Sequence, residues 1–426
     1  MVVIIGAGIA GASTAYYLSC LLSPSSQHLP ITIFDPNGLP LSDSACTASS
    51  KAGAFLSNSW GDGTKQQKLF HKSYDLHKEL AVDLNLTSFR ELSIVYRGVN
   101  CEDNKGEDGS LPFHVLPGQS AIVDPRELSS SLLEKAIERG AKLQELSVDG
   151  LKLSPLSESD DARAPPKISN NVMSVTAIVF DDGSEFALKD EEPVVIALGP
   201  WSSIVEDWLN VPVPIDGVVS TSIVWKGVYD DEDAGYSHDY NHRGVALFCE
   251  EDSNGCHLEI LPRIHDQSIY VSGCGQSDVL SPSIFRSAYQ RPNPTQHCKP
   301  NTSRAQAAQK SIKELLSPTS VVKGLLPKKL KTELPEVIQA CIRPTTPDGV
   351  PMIGRLLNNV YIVTGGGPWG ITWGPLMGKS VASMIVDDED APMPLGPFRP
   401  SRFDTIVYRS LLKSRRNGGP QEHAAR

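Results

Sequence analysis

The first eleven residues of the chain hold the feature that most constrains its fold. The apolar run Val2–Ile5 leads directly into a glycine-rich turn, Gly6-Ala7-Gly8-Ile9-Ala10-Gly11. A continuous apolar run is typical of a strand buried on both faces of a parallel sheet. In such a turn Gly6 allows the tight bend, Gly8 lets the backbone approach a pyrophosphate, and Gly11 lets the following helix pack on the strand. The sequence therefore predicts a βαβ unit whose helix begins at the phosphates of a dinucleotide.

A second apolar run strengthens this prediction. Ile31–Phe34 ends in Asp35, whose carboxylate is placed to accept hydrogen bonds from a ribose diol. An ordinary βαβ crossover built from small residues is the alternative interpretation of the same pattern. The turn by itself leaves open whether the dinucleotide is NAD or FAD.

Composition limits the class of protein and of partner. The 426 residues suffice for two domains, and 40% hydrophobic residues with a mean hydropathy of -0.18 indicate a globular protein. No stretch approaches the ~20 apolar residues that span a bilayer, and the N-terminal apolar run is a strand rather than a signal peptide, so we expect a cytoplasmic protein without a membrane span.

The net charge of -11 argues against a nucleic-acid partner. The eight cysteines are scattered without metal-ligand spacing, so no metal site is predicted.

A second strand, glycine loop and helix unit lies near the C-terminus. The strand-like run Val360–Thr364 is followed by the loop Gly365–Ile371 and a helical run over 376–385. A nicotinamide enzyme has no evident use for this late unit. A flavin has one, because a helix start beside the N1/C2=O edge of the ring stabilises the charge of the reduced form. The sequence therefore favours FAD and disfavours a nicotinamide-dependent dehydrogenase.

The pattern of the remaining runs predicts the architecture. Residues 211–275 alternate apolar and polar side chains as an antiparallel sheet with one covered face does, whereas both ends of the chain read as buried parallel strands with helices. Another buried strand, Val194–Leu198, is expected beside the first one. We predict a mixed α/β (α+β) fold in which a Rossmann-type FAD-binding domain is interleaved with a mostly antiparallel substrate domain. The predicted FAD-binding ranges are 1–64, 116–208 and 340–398, the substrate-domain ranges are 65–115 and 209–339, and the tail is 399–426.

Several polar segments are predicted to be loops. They are residues 23–30, 100–112, 154–171 and 290–302, of which 154–171 is expected to be disordered. A helix is predicted over 304–316. The basic residues Lys413, Arg415 and Arg416 are read as a solvated terminus.

Taken together, these motifs resemble the D-amino-acid oxidase superfamily of FAD-dependent amine oxidoreductases, and in particular its glycine oxidase and sarcosine oxidase branches. The resemblance covers most of the chain and rests on the order and spacing of its blocks. Beyond the first turn these blocks are residues 49–54, Gly140-Ala141 with Val148, residues 197–202, Ile260-Leu261-Pro262-Arg263, and residues 343–354.

The resemblance implies a set of cofactor contacts. Residues 6–11 would hold the pyrophosphate and Asp35 the adenosine ribose, and Val148 would contact the adenine through its backbone, unless it is a plain strand residue. The remaining residues implied to line the FAD site are Ser49, Ser50, Ala52, Gly53, Ala54, Gly199, Trp201, Gly365, Gly366, Gly370 and Ile371.

The resemblance also implies a substrate site. Arg343 occupies the position of an arginine that binds the substrate carboxylate, and a structural ion pair is the alternative. Glu259 stands where glycine oxidases carry an aromatic hydroxyl, and Pro368 stands where they carry a second arginine. A carboxylate at Glu259 would suit a cationic or amine-rich substrate, or would merely pair with Arg343 or Arg263.

Cys341 precedes Arg343 by two residues. Its position matches the cysteine that bonds covalently to the flavin in sarcosine oxidases. The alternative is a buried small hydrophobe, which is the ordinary role of a free cysteine.

The function implied by the resemblance is oxidation of a small-molecule primary or secondary amine, with an amino acid favoured, by hydride transfer to flavin N5. The alternative is a flavin-binding protein with a regulatory or trafficking role and little turnover. The loss of the second arginine, at Pro368, keeps this alternative open.

Overall fold

The computed structural model describes all of the chain except residues 23–28, 39–46, 98–113, 156–172, 190, 230–244, 290–297, 321, 323–324, 388–391, 406–407 and 409–426. The predicted loop 100–112, most of the other predicted loops, and the three basic residues of the tail lie outside the described part.

The strands up to residue 196 are β1 (Val2–Ile5), β2 (Ile31–Phe34), β3 (Phe55–Ser57), β4 (Arg90–Arg97), β5 (His114–Val115), β6 (Ser120–Ile122), β7 (Lys142–Gln144), β8 (Val148–Pro155), β9 (Met173–Phe180), β10 (Glu185–Ala187) and β11 (Val194–Ile196). The later strands are β12 (Asp216–Trp225), β13 (Val245–Cys249), β14 (Glu259–Arg263), β15 (Ser268–Ser272), β16 (Asp278–Leu280), β17 (Val337–Thr345), β18 (Met352–Arg355) and β19 (Val360–Thr364). The α-helices are α1 (Ile9–Leu21), α2 (Ala48–Lys51), α3 (Gln67–Asp83), α4 (Pro125–Glu138), α5 (Val205–Leu209), α6 (Pro282–Tyr289), α7 (Thr302–Leu315), α8 (Lys329–Thr332) and α9 (Gly370–Asp387).

A six-stranded sheet contains the first strand of the chain at its centre. Its order is β18-β19-β11-β1-β2-β7, and every neighbouring pair is parallel except β18 with β19. All four residues of β1 are at most 1% exposed, as expected for a strand covered on both faces. Since β11 pairs directly with β1, the prediction that Val194–Leu198 lies beside the first strand is confirmed.

Helices α1 and α9 cover one face of this sheet and pack closely on each other. A Cβ added at Gly378 of α9 would lie 2.6 Å from the Ser13 Cβ and from the Thr14 nitrogen of α1. Only glycine therefore allows this approach. The other face packs on a three-stranded sheet of order β10-β9-β8.

A ten-stranded sheet forms the second layer. Its order is β16-β12-β15-β14-β13-β4-β6-β3; in addition, β17 pairs with β12 over nine residues and β5 pairs with β4. Most pairs are antiparallel, as predicted for the middle of the chain, and β13 with β4 is a parallel exception. We use the term inner face for the side of this sheet on which the side chains of one buried cluster pack together, namely Val224, Tyr270, Leu261 and Phe248. The opposite side packs on α7.

The structure refines several predicted boundaries. The predicted strand 360–364 is confirmed as β19, and the predicted helix 304–316 is α7. The predicted loop 154–171 is wrong at its start, because Ser154 and Pro155 complete β8 by pairing with β9. The division into domains stays a prediction; its boundary at residue 340 falls inside β17, and Phe403 of the predicted tail is buried in the core.

Candidate cofactor and substrate site

The glycine turn between β1 and α1 has the shape that a phosphate group needs. Gly6 has φ +104°, and a Cβ there would collide with the carbonyl oxygen of Ala197, so no side chain fits. Helix α1 begins without a side-chain cap at Gly8. Within the described part of the chain, the N–H groups of Gly8, Ala10 and Gly11 have no hydrogen-bond acceptor. Unpaired donors at the positive end of a buried helix form an anion site, so these residues fit the pyrophosphate of a dinucleotide.

Two side chains hold this turn in place, and sequence reasoning missed both contacts. The Ala7 N–H donates to the Asp35 Oδ2 at 2.8 Å, and the Ile9 N–H donates to the Ser49 Oγ at 2.9 Å. Burial raises the pKa of Asp35, against the effect of the backbone donors at Ala7 and Asn37. Each carboxylate oxygen retains lone pairs that ribose hydroxyls could use.

Residues 47–54, which include α2, cross the inner face of the large sheet. Arg126 donates from Nε to the Ser50 carbonyl at 3.0 Å, and Arg263 donates from Nη2 to the Ala52 carbonyl at 2.6 Å. Gly53 lies on the Leu261 and Tyr270 side chains, which a Cβ would approach within 2.8 and 2.9 Å. The segment is therefore held between the two layers, with Ser49 against the phosphate turn at its beginning.

The C-terminal glycine loop lies beside the end of β17. Gly365 and Gly367 have φ +80° and +52°, and Gly366 forms a bridge with Thr345. The Thr364 hydroxyl donates to the Gly199 carbonyl at 3.0 Å, which joins the two turns that the sequence assigned to the flavin. The structure thus brings these two predicted turns together.

The buried His77 side chain contacts the first turn of α9 through two backbone carbonyls. Its Nε2 lies 3.1 Å from the Ile371 carbonyl and 3.0 Å from the Thr372 carbonyl, so the proton is on Nε2. Burial lowers the pKa of His77 to about 4, although the two carbonyls act in the opposite direction. Its Nδ1 is buried without a partner in the described part of the structure.

Val148 begins β8 and is 2% exposed in the apolar core with Phe34. Its side chain therefore has a packing role, and the adenine contact of its backbone stays a prediction. Trp201 packs edge-to-face on Phe285 at 6.2 Å.

The strand register places the predicted substrate residues on the inner face. Arg343 is opposite Val218, and Cys341 is opposite Ser220. Val218 and Ser220 are an even number of residues from Val224 on β12, so these pairs are on the same side as Val224. Glu259 is opposite Phe248 on β13 and opposite Ser272 on β15. Because side chains alternate along a strand, Arg343, Cys341 and Glu259 share one face.

Arg343 is a half-buried cation whose hydrogen-bond partners, among the residues that the structure describes, are hydroxyls. Its Nη2 donates to the Ser220 Oγ at close range and reaches the Ser277 Oγ at 3.5 Å. Its Nε is buried without a partner, and no carboxylate of the described residues forms an ion pair with it. The structural ion pair therefore has no support in this part of the chain.

Glu259 is half-buried as well. Its Oε2 accepts a hydrogen bond from the Ser272 hydroxyl at 2.8 Å. No ion pair joins it to Arg343 or Arg263 among the residues that the structure describes, so that alternative is not seen. Arg263 instead stacks on the Tyr270 ring, with its Cζ 4.7 Å from the ring centroid.

Cys341 is 6% exposed. Burial raises the pKa of Tyr270, and the nearby Cys341 thiol adds to that shift, so the two side chains are neighbours. Whether Cys341 bonds to the flavin stays a prediction.

No helix in the described part of the chain is both long and apolar enough to cross a bilayer.

Comparisons with known proteins place the chain in a family. Residues 1–100 and 113–384 match the family model described as FAD dependent oxidoreductase, which covers most of the chain. A Schizosaccharomyces pombe protein, whose name assigns it provisionally to the oxidoreductases, is 23% identical over 91% of this chain and 94% of its own length.

Solved structures share the fold. Glycine oxidase from Geobacillus kaustophilus has a TM-score of 0.64 at 18% identity, with 94% of this chain and 98% of that chain covered. L-proline dehydrogenase from P. horikoshii has a TM-score of 0.64 at 17% identity, with 95% and 97% covered. L-amino acid deaminase from Proteus myxofaciens has a TM-score of 0.66 at 16% identity, with 95% and 93% covered. The chain therefore belongs to the FAD-dependent oxidoreductase (DAO) family, and its cofactor is FAD.

Proposed function

We propose that this enzyme oxidises a small-molecule primary or secondary amine that carries a carboxylate, which is to say an amino acid. The C–H bond on the carbon that bears the nitrogen breaks, and the nitrogen lone pair forms the C=N bond of an imine as an N–H proton leaves. Water then hydrolyses the imine to a carbonyl compound and ammonia or an amine. When bound, FAD supplies the redox chemistry by accepting the hydride at N5.

The observation that carries this proposal is the state of Arg343. Its Nε is buried without a partner in the described structure, and its other contacts are hydroxyls. A buried, unpaired guanidinium N–H costs free energy, and a carboxylate is the group that matches the planar guanidinium. A substrate carboxylate would relieve that cost and orient the amine on the inner face.

The surrounding residues would position the reacting groups and exclude water. Residues 47–54 lie between the two layers, and Gly53 packs directly on Leu261 and Tyr270. The start of α9 is fixed by His77 and by the bridge at Gly366. Fixed groups around a closed site hold a substrate in a reactive orientation.

The test is anaerobic mixing of the holoenzyme with a panel of amino acids, in both enantiomers, and N-methyl amino acids. We expect at least one of them to bleach the flavin absorbance, while the matching amine without a carboxylate does so far more slowly. If no member of the panel bleaches the flavin, the proposal is wrong and the low-turnover binding role, which Pro368 favours, takes its place.

A further inference from the structure

Building on the proposed function, we propose that Glu259 selects amino acids with a second, cationic group, so that the preferred substrate has a side chain ending in an ammonium or guanidinium. Arg343 would bind the carboxylate and Glu259 the distant cation. Three features of the inner face support this assignment.

The first feature is the position of the two charges. Arg343 donates a hydrogen bond to the Ser220 hydroxyl of β12, and Glu259 accepts one from the Ser272 hydroxyl of β15. These strands are antiparallel neighbours, and Ile223 pairs with Val271. Continuing this register by one residue places Ser222 opposite Ser272, so Ser220, two residues before Ser222, is the diagonal neighbour of Ser272. Diagonal neighbours are about 7–8 Å apart. At about 1.5 Å per bond, the carboxylate and the terminal cation of a lysine-like amino acid can span that gap.

The second feature is the lack of a counter-charge at Glu259. Among the described residues, the Ser272 hydroxyl is the hydrogen-bond partner of this half-buried carboxylate, and no Lys, Arg or His forms an ion pair with it. Removing a charge from water is costly unless the charge is paired. A cation supplied by the substrate would compensate it.

The third feature is an aromatic cluster next to Glu259. Phe248 stands directly opposite Glu259 on the same face. The Phe248 ring centroid lies 5.1 Å from Phe55 and 5.1 Å from Trp60, and Trp60 lies 5.6 Å from Trp369. Aromatic faces attract cations, and they pack on the methylene stem that carries them.

The reacting amine itself is a poor occupant for this carboxylate. The C=N bond forms only when the nitrogen lone pair is free, so the amine must react in its neutral form. A nearby carboxylate stabilises the protonated form and raises the pKa of an amine. Binding a remote cation has no such effect on the reaction.

The experiment compares lysine with norleucine, which have the same carbon chain and differ in the terminal ammonium. We expect the flavin of the wild-type holoenzyme to be reduced with a kcat/KM at least tenfold higher for lysine. In Glu259→Gln, which retains an acceptor for Ser272, the preference should fall below about threefold, chiefly through KM for lysine. Glu250→Gln is the matched control, because Glu250 is an exposed carboxylate that also accepts from a hydroxyl, that of Tyr96, at 2.7 Å.

A binding measurement provides a second readout that does not depend on turnover. We expect 6-aminohexanoate to perturb the spectrum of the oxidised flavin at a concentration at least tenfold lower than hexanoate does, and we expect Glu259→Gln to remove this difference. Equal losses for lysine and norleucine in Glu259→Gln, or no wild-type preference for either cationic compound, would overturn the inference and leave the proposed function standing. A panel in which no amino acid bleaches the flavin would overturn both.

Discussion

At the scale of single residues, Arg343 and His77 are the side chains whose surroundings depart most from those of an ordinary surface or core position. One is a half-buried cation without an acidic partner in the described structure, and the other is a fully buried imidazole with one unpaired nitrogen. Each departure has a measurable consequence.

Arg343→Lys keeps the positive charge and removes the planar guanidinium, which can donate two parallel hydrogen bonds to a carboxylate. We expect kcat/KM for an amino-acid substrate to fall by about 10- to 100-fold, because a lysine ammonium binds a carboxylate as a point charge. Activity on the corresponding amine without a carboxylate should change less than about threefold. A loss of the same size on both substrates would mean that Arg343 does not bind the carboxylate.

His77→Gln removes the titrating group while a Gln amide can still donate to the same carbonyls. The pKa of His77 is about 4 in the fold and about 6.5 in an unfolded chain, so the fold binds fewer protons and its stability is complete only above pH 6.5. As the pH falls from 7 to 5, this group should lower the free energy of unfolding by about 2 kcal/mol. Denaturant unfolding at both pH values should show this loss in the wild type but not in the variant; parallel losses would contradict it.

Residue types at the site could be read from the sequence, whereas their partners could not. The glycine turn, Asp35 and Arg343 belong to local patterns with known chemistry. The partners of Arg343 are Ser220 and Ser277, which are far away in the sequence and belong to no motif. The role of Arg263 was hidden for the same reason, since its acceptor, the Ala52 carbonyl, is 211 residues away in the sequence.

At the scale of elements, two contacts hold the segments that are predicted to bind the cofactor. One joins β14 to the segment that contains α2 through Arg263, and the other is the close packing of α1 on α9. Both can be weakened by a single substitution without touching the glycine turn.

Arg263→Leu should release the Ala52 carbonyl and leave residues 47–54 less ordered. We expect the dissociation constant for FAD to rise about 10- to 100-fold, as expected for loss of one charge-assisted hydrogen bond of about 1.5–3 kcal/mol. FAD titration of the apoprotein measures this directly. Arg304→Ala, which removes an exposed ion pair with Asp278, is the control and should bind FAD as the wild type does.

Gly378→Ala tests the packing of α9 on α1. The added Cβ would lie 2.6 Å from backbone and side-chain atoms of α1, so the helices must separate. We expect a destabilisation of about 1–3 kcal/mol, seen as a lower thermal midpoint. Gly396→Ala adds a Cβ with no neighbour within 4 Å and should leave the midpoint unchanged; equal effects would argue against this account.

Elements with a strong local pattern were predicted well for a physical reason. Strands such as β1, β11 and β19 are short apolar runs that only a fully covered sheet position can bury. The parallel pairing of β13 with β4 was missed, because the alternation of polar and apolar residues within a strand carries no information on the direction of its neighbour.

At the scale of the whole molecule, the fold class and the cofactor followed from two glycine units at opposite ends of the chain. The sequence did not show how closely the two parts of the molecule are joined. Strand β17 belongs to the large sheet by its pairing with β12, yet its last residue, Thr345, forms a bridge with Gly366 of the C-terminal glycine loop. The predicted cofactor site thus takes residues from both layers rather than from one.

The position of β1 has a consequence for how the protein is made. This strand has β2 on one side and β11 on the other, and β11 is completed by β19 at residues 360–364. On a ribosome that adds about 5–20 residues per second, the phosphate turn emerges tens of seconds before the strand that finishes its sheet. Until then β11 is paired with β1 on one side only, and its other side is an apolar edge of the kind that promotes aggregation. The nascent sheet therefore keeps an open edge until residues 360–364 emerge, and we expect FAD to stabilise the protein only after nearly all of it has been translated.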